Sequence, residues 1–217
     1  LIAKPFDPYV IQRRVQNLVE LKRIRQMLTK QLDEMSKTLN MTNESIVNAL
    51  ATITEFRSLE SGQHILRIRK FVQILLEEVS RSFSEYELDE DKIATISSAA
   101  VLHDIGKISI PDSILNKPGR LTAEEFEIMK THTTAGCEML DRMPHVMDRD
   151  YMRYAYNICR YHHERWDGRG YPDGLKGDNI PICAQAVSIA DVYDALTTKR
   201  VYKGAISHGE TVNMILN

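Results

Sequence analysis

The chain has 217 residues, enough for one large or two small domains, and its 43% hydrophobic content is that of an ordinary globular protein with a proper core. A net charge of -2 excludes the broad basic footprint of a protein that grips a DNA or RNA polymer. No apolar run reaches bilayer-spanning length and no charged-then-apolar leader opens the sequence, so a cytoplasmic protein without a membrane partner is expected. The three cysteines, Cys137, Cys159 and Cys183, are widely spaced with no CxxC pair and read as reduced, buried thiols. Beginning at Leu1 and not at Met, the sequence reads as part of a longer protein.

Apolar residues recur with helical spacing almost throughout and alternate with period two almost nowhere, which predicts an all-α fold. Over residues 1–45, Leu18, Leu21, Leu28, Leu32, Met35 and Leu39 fit alternating a and d positions of a heptad, with Arg25 as the polar intruder. Two readings stand side by side: a two-stranded coiled coil that makes the protein a homodimer, or a single amphipathic linker helix packed on its own domain. A second domain is expected over 46–217. There Ile65, Ile68, Val72, Leu75, Val79 and Phe83 recur every three or four residues along one helix. Thr122 with Glu125 forms a capping-box signature ahead of a helix carrying Phe126 and Met129, and Ser207 with Glu210 repeats it near the end. Between these, Asp167 to Pro181 holds Gly168, Gly170, Gly174 and Gly177 and reads as a long, sharply turning loop. Pro181 then suits the first turn of a helix continuing to about Thr198.

The seven histidines are unevenly spread. His103-Asp104 sits in LHDIGK, His162-His163 in YHHERWDG, and His64 and His132 in separate predicted helices; Asp191 and Asp194 lie in SIADVYDALTT. Each is weak alone, since a lone histidine beside apolar residues is more often a satisfied core residue than a ligand. Together, imidazoles mixed with carboxylates are the donor set of a first-row transition metal. An adjacent His and Asp can serve one metal and bridge to a second, and two metals roughly 3.5–4 Å apart can clamp the attacking and leaving oxygens of an in-line phosphoryl displacement. Glu60 precedes His64 by four residues and shares its face if the backbone there is helical. Lys107 follows His103 by four residues, on the same face if the helix persists, where it could cancel charge on a scissile phosphate.

The ordered set His64, HDIGK from His103, His132 with Gly136, HHE from His162, GRGYP from Gly168 and DVYDAL from Asp191 resembles the HD-GYP phosphodiesterases over roughly residues 50–217. The resemblance implies a helical bundle of the HD superfamily preceded by a linker helix. It also implies a site of two or three divalent ions, most often iron or manganese. His64, His103, Asp104 and Asp191 would hold one, with Asp104 bridging; His132, His162 and His163 would complete the second; Glu60 stands where family members with a third metal carry a glutamate. Arg200 and Lys203 match the family's phosphate-contacting basic pair, an arginine fork suiting bidentate phosphate binding. Asp194 would contact substrate or metal water, Tyr171 would shape the substrate entrance or a partner surface on the GYP loop, and Glu164 would orient a ligating imidazole. His145 and His208 are expected to be non-ligands. The opening LIAKPFD is similar to the end of the receiver domain of a bacterial response regulator, implying receiver control of the second domain.

The activity implied is hydrolysis of cyclic di-GMP to pGpG or GMP in bacterial second-messenger signalling, with Asp104 and Lys107 as catalytic residues. Two alternatives stay open: another cyclic dinucleotide such as 3′,3′-cGAMP as substrate, or a non-catalytic binding or scaffold module.

Overall fold

Helix α1 runs unbroken from Pro8 to Arg57. The computed structural model describes residues 7–58, 63–143, 147–198 and 204–216, and every regular element among them is helical. The chain divides between Ser45 and Ile46 into two compact units. In the first, Leu18, Leu21, Leu28, Leu32, Met35 and Leu39 of α1 are half to three-quarters exposed, so this stretch is a helix without a core of its own. No helix among the described residues is long and apolar enough to cross a membrane.

The second unit is a bundle built on α2 (His64–Ser82), α3 (Glu90–Ala99), α4 (Asp112–Leu115), α5 (Ala123–Lys130), α6 (His132–Asp141), α7 (Arg149–Tyr161), α8 (Ile182–Thr197) and α9 (His208–Leu216). Helix α2 lies against α3 and α8, α7 against α3, α6 and α8, and their apolar stripes meet in one core. Ile68, Val72 and Leu76 of α2, Ile96 of α3, Ile158 of α7 and Val187 of α8 are wholly buried there. Each such side chain contributes roughly 1.5–3 kcal/mol through removal from water. Leu76, not Leu75, takes the innermost position on α2, and Phe83 lies half exposed past the helix end, because the buried stripe follows the 3.6-residue turn and drifts off a strict alternation. The last turns of α1 bury Val47, Ala51, Thr54 and Glu55 in this unit.

Helix starts are fixed by side chains that satisfy otherwise unpaired amides. Asp89 accepts from Lys92 N at 2.7 Å, and Asp148 accepts from Tyr151 N at 2.9 Å. Thr122 and Glu125 exchange hydrogen bonds as a complete capping box. Ser207 and Glu210 do the same ahead of α9, with bonds of 3.3 and 3.4 Å. All three cysteines are free and buried. Burial pushes the Cys137 thiol up to about 11 and that of Cys183 up to about 12, so both stay protonated and unreactive at neutral pH.

One backbone crossing sets the position of the site. Gly106 lies so close to α6 that a Cβ there would sit 1.9 Å from the His132 carbonyl oxygen and 2.5 Å from Gly136 N. Gly106→Ala is therefore expected to cost at least about 3 kcal/mol, at the upper end of overpacking penalties, because backbone and not a flexible side chain must move. Urea unfolding of the metal-free chain reads that loss directly; an unchanged midpoint would show that the two segments separate easily.

Candidate metal centre

Helix α3 tightens at its end into 3₁₀ winding over Ala100–Leu102, and a second 3₁₀ segment spans Ile105–Ser109. The buried apolar side chains of Val101, Leu102 and Ile105 pull this stretch inward and carry His103 and Asp104 with it. The helix does not persist in α form from His103 to Lys107, the condition for their sharing a face. The three-residue turn brings Lys107 Nζ to 2.5 Å from Asp104 Oδ2, so Lys107 pairs with Asp104 and does not stack over His103.

The imidazoles converge on that carboxylate from three further elements. His64 opens α2, His132 opens α6, and His162 and His163 follow α7. His103 Nδ1 donates to Ala100 O at 2.9 Å, His132 Nδ1 to Met129 O at 2.7 Å and His162 Nδ1 to Ile158 O at 2.9 Å. A carbonyl only accepts, so these rings carry a proton on Nδ1 and turn Nε2 to the interior. Two groups result, each with ligand atoms within 4.8 Å of one another: Asp104, His132, His162 and His163, and beside it His64, His103 and Asp191. Asp104 faces both. Its Oδ2 lies 3.3 Å from His103 Nε2, while its Oδ1 lies 3.3 Å from His132 Nε2 and 3.7 Å from His162 Nε2. Asp191 Oδ1 stands 3.7 Å from His64 Nε2.

Asp194 departs from the expected substrate contact. It is buried, and both its oxygens are engaged: His64 Nδ1 donates at 2.7 Å and Arg67 Nη2 at 2.9 Å to Oδ2, while Arg67 Nε donates to Oδ1. The carboxylate thus sits behind His64 and fixes its ring. Arg67, which the sequence reading passed over, lies one helical turn after His64; that spacing in an otherwise apolar stripe was the available signal.

Glu164 also departs from its expected part. Its Oε1 accepts from Asp173 N at 2.7 Å and Gly174 N at 3.0 Å, so it holds the glycine-rich loop and no imidazole. Gly170 presses on the backbone of Glu164 and Arg165, where a Cβ would come within 2.4 Å of both. The loop so held lays the Tyr171 ring against His163, with centroids 4.8 Å apart. Phe126 and Lys130 of α5 complete this rim: Phe126 meets Tyr171 edge-on at 6.1 Å, and Lys130 Nζ lies 5.1 Å from the Phe126 centroid. His208 bonds Tyr193 Oη at 2.8 Å, and belongs to neither ligand group. Glu60, His145, Arg200 and Lys203 lie outside the described residues.

The family model described as HD domain matches residues 15–217. The chain belongs to the HD domain family. Among its curated relatives is a probable cyclic di-GMP phosphodiesterase of Vibrio cholerae, 38% identical over 99% of this chain and 51% of the relative. A cyclic di-GMP phosphodiesterase of the same organism is 41% identical over 88% of this chain and 40% of its own length. A 3′3′-cGAMP-specific phosphodiesterase from Vibrio cholerae is 44% identical over 76% of this chain and 30% of its own length. The chain thus spans about half the length, or less, of these relatives.

Divalent metal binding goes with the HD domain fold, and the residues present fit it. His103 Nε2 and Asp104 Oδ1 are buried without a hydrogen-bond partner, where buried polar atoms are nearly always satisfied. Neutral imidazoles and carboxylates are the donors a first-row divalent ion takes. Burial holds His132 down at about 4, outweighing the pull of Asp104, and burial with His162 pushes His163 far below its ordinary value, so both are neutral ligands at pH 7. Burial acts on His103 in the same direction, but the charges of Asp104 and then Asp191 outweigh it and raise His103 to about 9. Its proton must leave before the ring can ligate. Titrating manganese into the metal-free HD domain at pH 7 is therefore expected to release about one proton per chain, with affinity rising as pH climbs towards about 9. Calorimetry in two buffers of different ionisation enthalpy counts that proton; none released at pH 7 would mean a neutral His103.

Proposed function

We propose that this chain is a metal-dependent phosphodiesterase acting on cyclic di-GMP, giving pGpG or GMP, in the cytoplasm of a bacterium. The observation that carries it is the placement of Asp104, one oxygen towards His103 and the other towards His132 and His162. That is the disposition of a carboxylate shared by two cations. His64, His103, Asp104 and Asp191 would hold one, Asp104 with His132, His162 and His163 the other, and Glu60 would add a ligand for a third; iron or manganese suits the donors. When bound, such ions supply Lewis acidity and an activated water for in-line phosphoryl transfer. Water's oxygen bonds to phosphorus, the bond to the sugar 3′-oxygen breaks, and that oxygen leaves with a proton.

The chain's own residues do the rest. Lys107 stands 2.5 Å from Asp104 Oδ2 and places a cation where phosphate charge develops in the transition state. Arg200 and Lys203 would contact substrate phosphate, and Tyr171, its ring against His163, would shape the entrance or offer a face to a partner protein. Residues 1–45 would be the end of a receiver domain with its linker helix, and 46–217 the phosphodiesterase domain. The exposed leucines of α1, repeating at heptad spacing, favour a homodimer with a second copy as their cover.

Relatives named for 3′3′-cGAMP support that dinucleotide as a second substrate reading. One experiment weighs both: metal content by elemental analysis, alongside turnover of cyclic di-GMP and 3′,3′-cGAMP followed by chromatography. Two or three metals per chain with pGpG or GMP appearing supports the first reading, and cGAMP-only turnover the second. A protein that retains no metal after reconstitution defeats both, and a metal-loaded chain that cleaves neither is a binding module. Light scattering that gives a monomer at high concentration would overturn the dimer.

A further inference from the structure

The end of α1 grips the segment that carries Lys107. Arg57, the last residue of α1, sends Nη1 to the carbonyl oxygens of Lys107, at 3.0 Å, and of Ile108, and Nη2 to that of Ile110 at 2.6 Å. Its Nε donates to Asp112 Oδ1 at 3.0 Å. The hold is returned, since Asn116 Nδ2 donates to the Arg57 carbonyl at 3.0 Å. The Lys107 carbonyl also accepts from Ile110 N at 3.1 Å as the 3₁₀ segment Ile105–Ser109 closes, and the Ile108 and Ile110 carbonyls lie at and just past its end, where a helix runs short of internal donors. A guanidinium is the one side chain that fills several of them at once, being planar, permanently charged and forked. A lysine ammonium in its place keeps the charge on one nitrogen and lacks the planar fork that spans them.

We propose that Arg57 is a positioning residue: it fixes the backbone of Lys107, and through it the ammonium beside Asp104, and makes the geometry of that pair depend on where α1 ends. Among the described residues Arg57 touches none of the ligand atoms, so its part is not ligation. Its four bonds go to the segment between Lys107 and Asp112 alone. A shift or twist of α1 therefore reaches Lys107 without passing through the core. The inference rests on Lys107 being catalytic, as in the proposed function.

The test uses the full chain with its metals, comparing wild type, Arg57→Ala, Lys107→Ala and the double variant. Backbone hydrogen exchange over residues 105–112 is expected to quicken about tenfold or more in Arg57→Ala while α2, α7 and α8 keep their rates. Turnover should fall about 10- to 100-fold with KM nearly unchanged, the penalty of a misplaced catalytic group. In the Lys107→Ala background the same change should cost less than about twofold, since the group it positions is gone. Should Arg57→Ala fail to fold, Arg57→Lys carries the comparison, keeping the charge and losing the fork. Equal losses in both backgrounds, or unchanged exchange over 105–112, overturn the proposal. A wild-type chain that cleaves no cyclic dinucleotide overturns the proposed function instead, and the exchange comparison then decides the clamp by itself.

Discussion

Asp104→Ala is expected to leave a folded chain that loses its metals and, on the proposed function, slows cyclic di-GMP turnover by at least about a thousandfold, some 4 kcal/mol of transition-state stabilisation. The size follows from position. Among the described residues, Asp104 is the carboxylate that faces both ligand groups, with an oxygen towards each. Burial by itself would raise its pKa, but Lys107 and then His103 hold it well below the usual carboxylate range, so it is charged at any pH of interest. Removing it takes a ligand from both groups and the counter-charge from Lys107. It also takes the main charge that lifts His103, so the proton released on metal loading should disappear at pH 7. Elemental analysis, circular dichroism and single-turnover kinetics on one preparation separate loss of metal from loss of fold. Full metal content in Asp104→Ala would show that the two groups bind independently.

Asp194→Ala should be among the most damaging changes away from the ligand atoms. Its carboxylate is buried and joins His64 to Arg67, and removing one member of such a network typically costs about 3–5 kcal/mol. Arg67 is partly exposed at 29%, which places the expected loss near the lower figure, about 3 kcal/mol. With His64 no longer anchored, metal affinity in its group should drop about 10- to 100-fold. The pH dependence has a definite sign. Burial favours the protonated acid, but hydrogen bonds from His64 and Arg67 prevail and hold the carboxyl below its unfolded value of about 4. Its stabilisation is therefore present above about pH 4 and lost as pH falls through the lower folded value. Asp194→Asn should flatten the acid limb of a plot of urea midpoint against pH, and an unaltered limb would place the acid sensitivity elsewhere.

The helices were legible because their causes are local. The Thr122–Glu125 box, the Pro181 start of α8 and the apolar stripe of α2 each act within one or two turns. The residue types at the site were legible as a set, since a metal demands its donors by chemistry. What the sequence could not show depends on contacts between distant segments. His64 and Asp194 stand 130 positions apart, and only the α2–α8 packing puts the carboxylate behind the ring and not in the pocket. Glu164 next to His163 looked like an imidazole's partner, yet the glycine-rich loop folds back to claim it. Lys107 was misplaced for a subtler reason. The HDIGK run gives no sign that the backbone tightens to a three-residue turn, which follows from Gly106 pressing on α6.

That crossing bears on how freely such a protein can drift. Asp104 and His132 are spaced by main chain meeting main chain, with Gly106 against the His132 carbonyl and Gly136 so near in return that a Cβ there would sit 3.4 Å from Gly106 N. Side chains in the surrounding core can be exchanged for others of similar volume without altering that spacing, because none stands between the two segments. A library randomising Ile68, Ile96 and Val187 should thus yield many active members, and one randomising Gly106 almost none. The site's geometry is insulated from the ordinary turnover of its hydrophobic interior.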